Sequence, residues 1–318
     1  HEQPRLRHHP DMKRVLCVGH AVQDFIFRTP QLPHGAEKHR ASGYSEAGGG
    51  PAATAAVAVV RLGGAASLVA RVGDDSVAKT IRVELERYGV DCRHLRRFAG
   101  HQSSVSAVFV DDAGERLIVN HTDPALPADP AWLDEVSLDE VAAVLTDTRW
   151  PLGAELMLRR ATAAGLPAVL DADVPVPKEG RLLDAATHIA FSLAGLRDFS
   201  ACSADAVAVS EALRTIAQTR ARWCCVTQGG AGVLIADGRE PGRAAVMQHV
   251  PAFRVTAVDT LGAGDVWHGA FALALAEGER EETAVRAASA AAAIKVTRAG
   301  GRAGAPTRHE RDALLERS

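Results

Sequence analysis

Apolar positions along this chain fall into two patterns: short unbroken runs, and longer stretches in which they recur on one helical face. The run "RVLCVGHAV" (14–22) ends its apolar part at glycine, the form of a strand buried on both faces of a parallel sheet. "PAATAAVAVVRLG" (51–63) reads as an alanine-rich helix stopped by glycine, and "ASLVARVG" as the strand that follows. "SVAKTIRVELERYGV" is amphipathic at helical spacing, with Gly89 as its stop. Beyond Pro124 the alternation becomes regular: strands in "VAAVLTDT", "PAVLDADV", "HIAFS" and "WCCVTQGG", helices in "AELMLRRATAAG" and "SEALRTIAQTR", and two long alanine-rich helices from Trp267 to Thr297. Such alternation predicts a mostly parallel sheet covered by helices on both faces.

Two pairs of β-rich pieces interrupt this order: "FIFRT" with "EKHRASGYSEA", and "SSVSAVFVDD" with "ERLIVNH" across a turn at Asp111–Gly114. Far apart in sequence, they can meet as one small sheet beside the large one. The expected organisation is a three-layer α/β domain (12–24, 46–100 and 125–318) carrying an inserted β lid (25–45 and 101–124). Residues 1–11, polar and histidine-rich, read as a disordered or appended tail. There is no internal repeat.

Composition narrows the function. Of 318 residues, 47 % are hydrophobic and 24 % charged, which is enough apolar material for a sizeable core. A net charge of -3 without any basic run argues against a nucleic-acid partner. No charge-free apolar stretch reaches the roughly 18 residues that span a bilayer, and no signal-peptide core opens the chain, so a cytoplasmic protein without a membrane partner is expected. The five cysteines lack metal spacing and read as buried free thiols, Cys224 and Cys225 within a core strand.

The chemistry concentrates in "VDTLGAGDVWHGAF" (258–271). Gly262, Ala263 and Gly264 stand before Asp265 and the start of an apolar helix. Small residues let a ligand approach the backbone, and a helix start turns unpaired N–H groups outward, so the turn is an anion cradle with a proton acceptor at its mouth. Helix capping is the plain role for such an Asp, but it does not require three small residues ahead of it. In open parallel sheets ligands lie beyond the strands' C-terminal ends. Three polar or glycine-rich turns fall there: "VQD" (22–24), "VTQGGAG" (226–232) and "DTLGAGD" (259–265). Walker A, HExxH and GxSxG motifs are absent, which removes support for a P-loop kinase, a zincin and an α/β-hydrolase.

"DTLGAGDVWHGAFALAL" resembles the C-terminal signature of the ribokinase-like (PfkB) carbohydrate kinases, and "GGGPAATAAVAVVRLGGAASLVARVGDD" their N-terminal signature; the likeness runs from about Arg14 to Pro306. It implies ATP-dependent phosphorylation of a sugar. Asp265 would be the base, and the amides of Gly262, Ala263 and Gly264 the anion hole. Asp24 would hold sugar hydroxyls, and Gly49 and Gly50 would let the backbone approach the sugar. Thr227, Gly229, Gly230 and Gly232 would form the nucleotide-side turn. The segment 291–306 would border the adenine and, as in many members, a potassium ion. Two positions depart from the family: Thr54 stands in place of Asn, and "SLAG" replaces the acidic NxxE motif, with Ser192 and Gly195 at the Asn and Glu positions. The second leaves the Mg²⁺ contact from that motif unassigned.

"GGGPAATAA", "GERLIVNH" and "DTRW" resemble a narrower branch, the sulfofructose kinases, which phosphorylate the 1-hydroxyl of 6-deoxy-6-sulfofructose in sulfoquinovose breakdown. The resemblance places Lys38, Asn120 and Arg149 around the sulfonate. A permanent anion needs fixed cations and donors, and these three supply a point charge, an amide and a planar fork. Lys38 on a solvated strand and Arg149 paired with Asp147 are the plain alternatives. Kinases for fructose, ribose or 2-keto-3-deoxygluconate remain open, as does a non-catalytic sugar-binding regulator. Exposed lid edges suggest a homodimer.

Overall fold

The structure, a computed structural model, describes residues 12–220 and 222–317; the tail expected at 1–11 lies outside them. In chain order the elements are β1 (Arg14–Gly19), β2 (Val22–Arg28), β3 (Gly43–Gly49), α1 (Pro51–Arg61), β4 (Ala65–Gly73), α2 (Ser76–Tyr88), β5 (Asp91–Phe98), β6 (Val105–Val110), β7 (Arg116–His121) and β8 (Ala143–Thr146). They continue with α3 (Pro151–Ala163), β9 (Ala168–Ala172), α4 (Arg181–Ala185), β10 (His188–Ser192), α5 (Leu193–Ser200), α6 (Ala206–Arg220), β11 (Trp223–Thr227), β12 (Val233–Asp237), β13 (Val246–Val250), α7 (Ala263–Ala276), α8 (Glu281–Val296) and α9 (Arg308–Glu316).

Among the described residues the strands form a nine-stranded sheet, ordered β13-β12-β11-β10-β9-β8-β1-β4-β5, and a separate four-stranded sheet, β3-β2-β6-β7. The large sheet is parallel from β11 to β5, with β12 and β13 added antiparallel at one edge. Its inner parallel strands are mostly apolar because both faces are covered, α1, α7 and α8 closing one core and α3 to α6 the other, while the edge strand β5 carries exposed Arg93, Arg96 and Arg97. The order reverses beside β1, whose neighbours are β8 and β4, and the crevice there is where such sheets bind ligands.

Helix ends follow the sequence. Asp75 caps α2 by accepting from the Ala78 amide at 2.8 Å, and Gly89 ends it in the left-handed conformation at φ 89°. The small sheet joins the two expected β-rich pairs through parallel pairing of β2 with β6. It reaches further along the chain than 25–45, since β2 starts at Val22 and β3 runs to Gly49. Residues 37–42, expected as part of a strand, are irregular and exposed. All five cysteines are free, and only Cys202 is not buried. No helix among the described residues is long and apolar enough to cross a membrane.

Candidate active site

The helix α7 starts on Gly262, left-handed at φ 74°, with no side chain capping it. The Ala263 amide donates to the Thr260 carbonyl at 3.2 Å. Among the described residues the amides of Gly262, Gly264 and Asp265 have no such partner, and a Cβ on Gly264 would meet nothing within 4 Å. The turn therefore offers an open set of donors to an anion, with Ala263 the one expected contributor already engaged.

Asp265 sits in the first turn of α7, and its carboxyl is pushed up to about 7. Burial is the main cause, followed by the carboxylate of Asp171, while His268 opposes; Asp173 and Asp147 add further negative charge. These groups arrive from separate strand ends. Asp171 is the buried penultimate residue of β9, with Oδ1 lacking any partner. His268, one turn along α7 and 2 % exposed, places Nδ1 3.4 Å from Asp171 Oδ2 and Nε2 3.3 Å from the Ala190 carbonyl. Asp147, buried just past β8, accepts from the amides of His20 at 2.8 Å, Ala52 at 3.1 Å and Arg149 at 2.8 Å, tying the end of β1 to the start of α1.

Asp24 lies on β2, facing a row that crosses the small sheet. Its register partner on β6 is Ser106, whose own partner on β7 is Asn120. Asp24 accepts from Ser106, and Asn120 donates its amide to Ser106 Oγ at 3.1 Å. The structure thus joins Asp24 and Asn120 on one face. A Cβ on Gly49 would collide with Asp24 Oδ2, and one on Gly50, at φ 91°, with the His20 carbonyl. Thr54 is buried on α1, its methyl 3.4 Å from where a Cβ on Gly262 would stand. Burial raises the Asp24 carboxyl, and the charge of Arg302 opposes this.

Two arginines of this region were not expected. Arg302 is 2 % exposed, bound through Nε and Nη2 to Glu84 at 3.1 and 2.7 Å, with Nη1 buried and unpartnered. Arg116, on the same face of β7 as Asn120, reaches Thr260 Oγ1 at 2.7 Å and Asp259 at 3.4 Å. It bridges the small sheet to the glycine turn across a cavity of about 490 Å³ bounded by β2, β6 and residues 258–261.

On the other side of the turn a second cavity, about 300 Å³, is lined by Thr227, Gly229, Gly230 and Gly232 together with Ala263 and Gly264. Ala292, Ala293 and Val296, from the segment expected to border the adenine, also line it, as do Phe253 and Ser289, which carry no sequence signal beyond their apolar or small character. Gly232 is left-handed at φ 92°, where a Cβ would strike the Val250 carbonyl.

The three residues expected around a sulfonate are not all gathered. Lys38 is exposed in the irregular segment between β2 and β3. The Arg149 guanidinium does not form the ion pair with Asp147 that its plain alternative had; it lies 3.2 Å from Asp173 Oδ2 and donates to the Val174 carbonyl, while the Arg149 amide bonds Asp147. The reason is local: Asp147 is already filled by three backbone amides. Ser192 caps α5 through the Gly195 amide at 2.8 Å and donates to Asp173 at 2.6 Å, a structural role at the degenerate NxxE positions.

Comparison with known proteins gives a consistent picture. The sequence matches the pfkB family carbohydrate kinases over residues 12–308. It is 27 % identical to the ribokinase of Bacillus subtilis, covering 96 % of this chain and 100 % of that protein. It is 30 % identical to the ATP-dependent ribose-1-phosphate kinase of Halopiger xanaduensis, covering 93 % and 96 %. Among solved structures, a protein of Agrobacterium tumefaciens named provisionally as a ribokinase superposes with a TM-score of 0.85 at 38 % identity, over 96 % of this chain and 98 % of that one.

Proposed function

The chain belongs to the pfkB family of carbohydrate kinases and is an ATP-dependent sugar kinase, and from that premise we propose that it transfers the γ-phosphoryl group of ATP to the 1-hydroxyl of 6-deoxy-6-sulfofructose. The observation that carries the chemistry is Asp265, raised to about 7 in the first turn of a helix whose start is uncapped and whose residues Ala263 and Gly264 line the cavity of about 300 Å³. ATP occupies the cavity lined by Thr227 and the glycines at 229, 230 and 232. The sugar lies against Asp24, Gly49, Gly50 and Thr54. Asp265 takes the proton of the attacking hydroxyl as its oxygen bonds to the γ-phosphorus; the bond to the bridging oxygen breaks and ADP leaves. The free amides of Gly264 and Asp265 face the negative charge of the transferring group. The small sheet acts as a lid that excludes water from this step.

Among the described residues no group of three or more His, Cys, Asp or Glu side chains is placed to hold a metal. Magnesium, which prefers phosphate and water oxygens, would come with the nucleotide and neutralise its charge. Asn120, aligned with Asp24, supports an acceptor that extends along the small sheet, and Lys38 and Arg149 supply cations for its sulfonate once the segment 29–42 and the Arg149–Asp173 pair rearrange. Ribose is the second reading: the relatives named ribokinase favour it, as does an Arg149 already held by Asp173. Exposed Tyr44, Ile118 and Val119 on the small sheet support a homodimer through the lids. Steady-state turnover with ATP on the sulfonated sugar beside ribose tests the acceptor, and light scattering tests the dimer: a monomer mass at micromolar concentration removes it.

A further inference from the structure

Lys295, in the last turn of α8, is wholly buried. A buried ammonium is tolerated only where oxygens replace its water, and here three do. Its Nζ donates to the Asp259 carbonyl at 2.8 Å and to the Arg298 carbonyl at 3.3 Å, and stands 3.2 Å from Asp259 Oδ2. Asp259 is the hub of the glycine turn. It accepts from the Leu261 amide at 2.9 Å and from the Gly300 and Gly301 amides at 3.1 and 3.2 Å, and it faces Arg116 from the small sheet. The ammonium therefore joins the end of α8, the loop behind it and the first residue of the turn that leads to Asp265.

Two backbone carbonyls and a carboxylate converging on one point are an oxygen donor set suited to a hard monovalent cation. The resemblance to the family implied potassium along this segment. The residues present do not fit it: an inorganic ion on the Asp259 oxygens would face the ammonium at contact range, and like charges repel strongly where water is excluded. We propose that the Lys295 ammonium is a covalently attached cation that takes potassium's place behind the glycine turn, so that this kinase works without a monovalent salt. The effect on turnover rests on the reading that the turn receives the phosphoryl group; the placement of the cation does not.

The test measures thermal unfolding without substrates, and turnover, in potassium, sodium and tetramethylammonium chloride at matched ionic strength. It uses the wild type, Lys295→Ala and Lys295→Met, the second keeping the apolar stem. The wild type should show one unfolding midpoint in all three salts and turnover within about twofold. The variants should unfold at lower temperature in tetramethylammonium, lose about tenfold or more in turnover, and regain both on adding potassium. Potassium-dependent stability or turnover in the wild type would overturn the proposal, and that arm holds even where a variant does not fold. Variants that fold but ignore potassium would overturn it as well. Potassium-restored stability with turnover unchanged throughout would uphold the built-in cation and count against the phosphoryl reading of the turn.

Discussion

Replacing Asp265 with Asn keeps the size and shape of the side chain and leaves the turn's amides where they are, but removes the atom that accepts the hydroxyl proton. A positioned general base contributes about 10²- to 10⁴-fold, so turnover should fall by that factor, about 2.7–5.5 kcal/mol in the barrier. The structure adds a pH signature. With its carboxyl at about 7, Asp265 is protonated below that value and cannot act, so wild-type kcat/KM should fall with unit slope as pH drops below about 7 and level off above it. The cause is burial first and the Asp171 carboxylate second, with His268 opposing, so the midpoint belongs to the enclosed site and not to an ordinary carboxyl. The assay is ADP release across pH 5–9, with sugar binding to the Asn variant followed by calorimetry. The variant should bind sugar, turn over slowly and lose the acidic limb. Turnover within about fivefold of wild type, or an unchanged acidic limb in the variant, would refute the assignment of Asp265 as the base.

Gly49→Ala should raise the sugar KM about tenfold or more while leaving the ATP KM alone, because the added methyl collides with Asp24 Oδ2; kinetics with each substrate varied in turn would show it. Under the sulfonate reading, Arg149→Ala should weaken kcat/KM for the sulfonated sugar about a hundredfold and spare neutral sugars, the cost of leaving a buried anion without its partner; equal losses on both would assign Arg149 to holding Asp173. Phe271, fully buried and stacked on Trp223 and Trp267 at 5.2 and 5.0 Å, should cost about 3–5 kcal/mol of stability on truncation to Ala, read as a lower denaturant midpoint at unchanged slope.

The parts of the site that could be read in the sequence are those whose chemistry is local. Gly262 to Asp265 are adjacent, and a helix start after small residues is an anion site wherever it occurs. The alternation after Pro124 likewise predicted the parallel sheet, because strands covered on both faces must be apolar. The two β-rich pairs also met as expected. What escaped depends on folding. Arg116 and Thr260 stand 144 positions apart, and Arg302 and Glu84 218, so no spacing announces either contact. Asp147, Asp171 and Asp173 become one acidic group beside Asp265 only once β8 and β9 lie side by side. The plain alternative for Arg149, a pair with Asp147, did not form, because sequence nearness hid the backbone amides that fill that carboxylate. The segment 37–42 was read into a strand that begins only at Gly43, its polar residues giving no face to bury.

The acceptor proposed for this sugar kinase is an anionic sugar. The most direct measurement is steady-state kcat/KM with ATP and Mg²⁺ on 6-deoxy-6-sulfofructose, ribose, fructose and 2-keto-3-deoxygluconate in parallel. A preference for the sulfonated sugar of about a hundredfold or more is expected, near 3 kcal/mol of transition-state binding. A preference for ribose or fructose would contradict it, return Lys38, Asn120 and Arg149 to structural roles, and leave a neutral-sugar kinase.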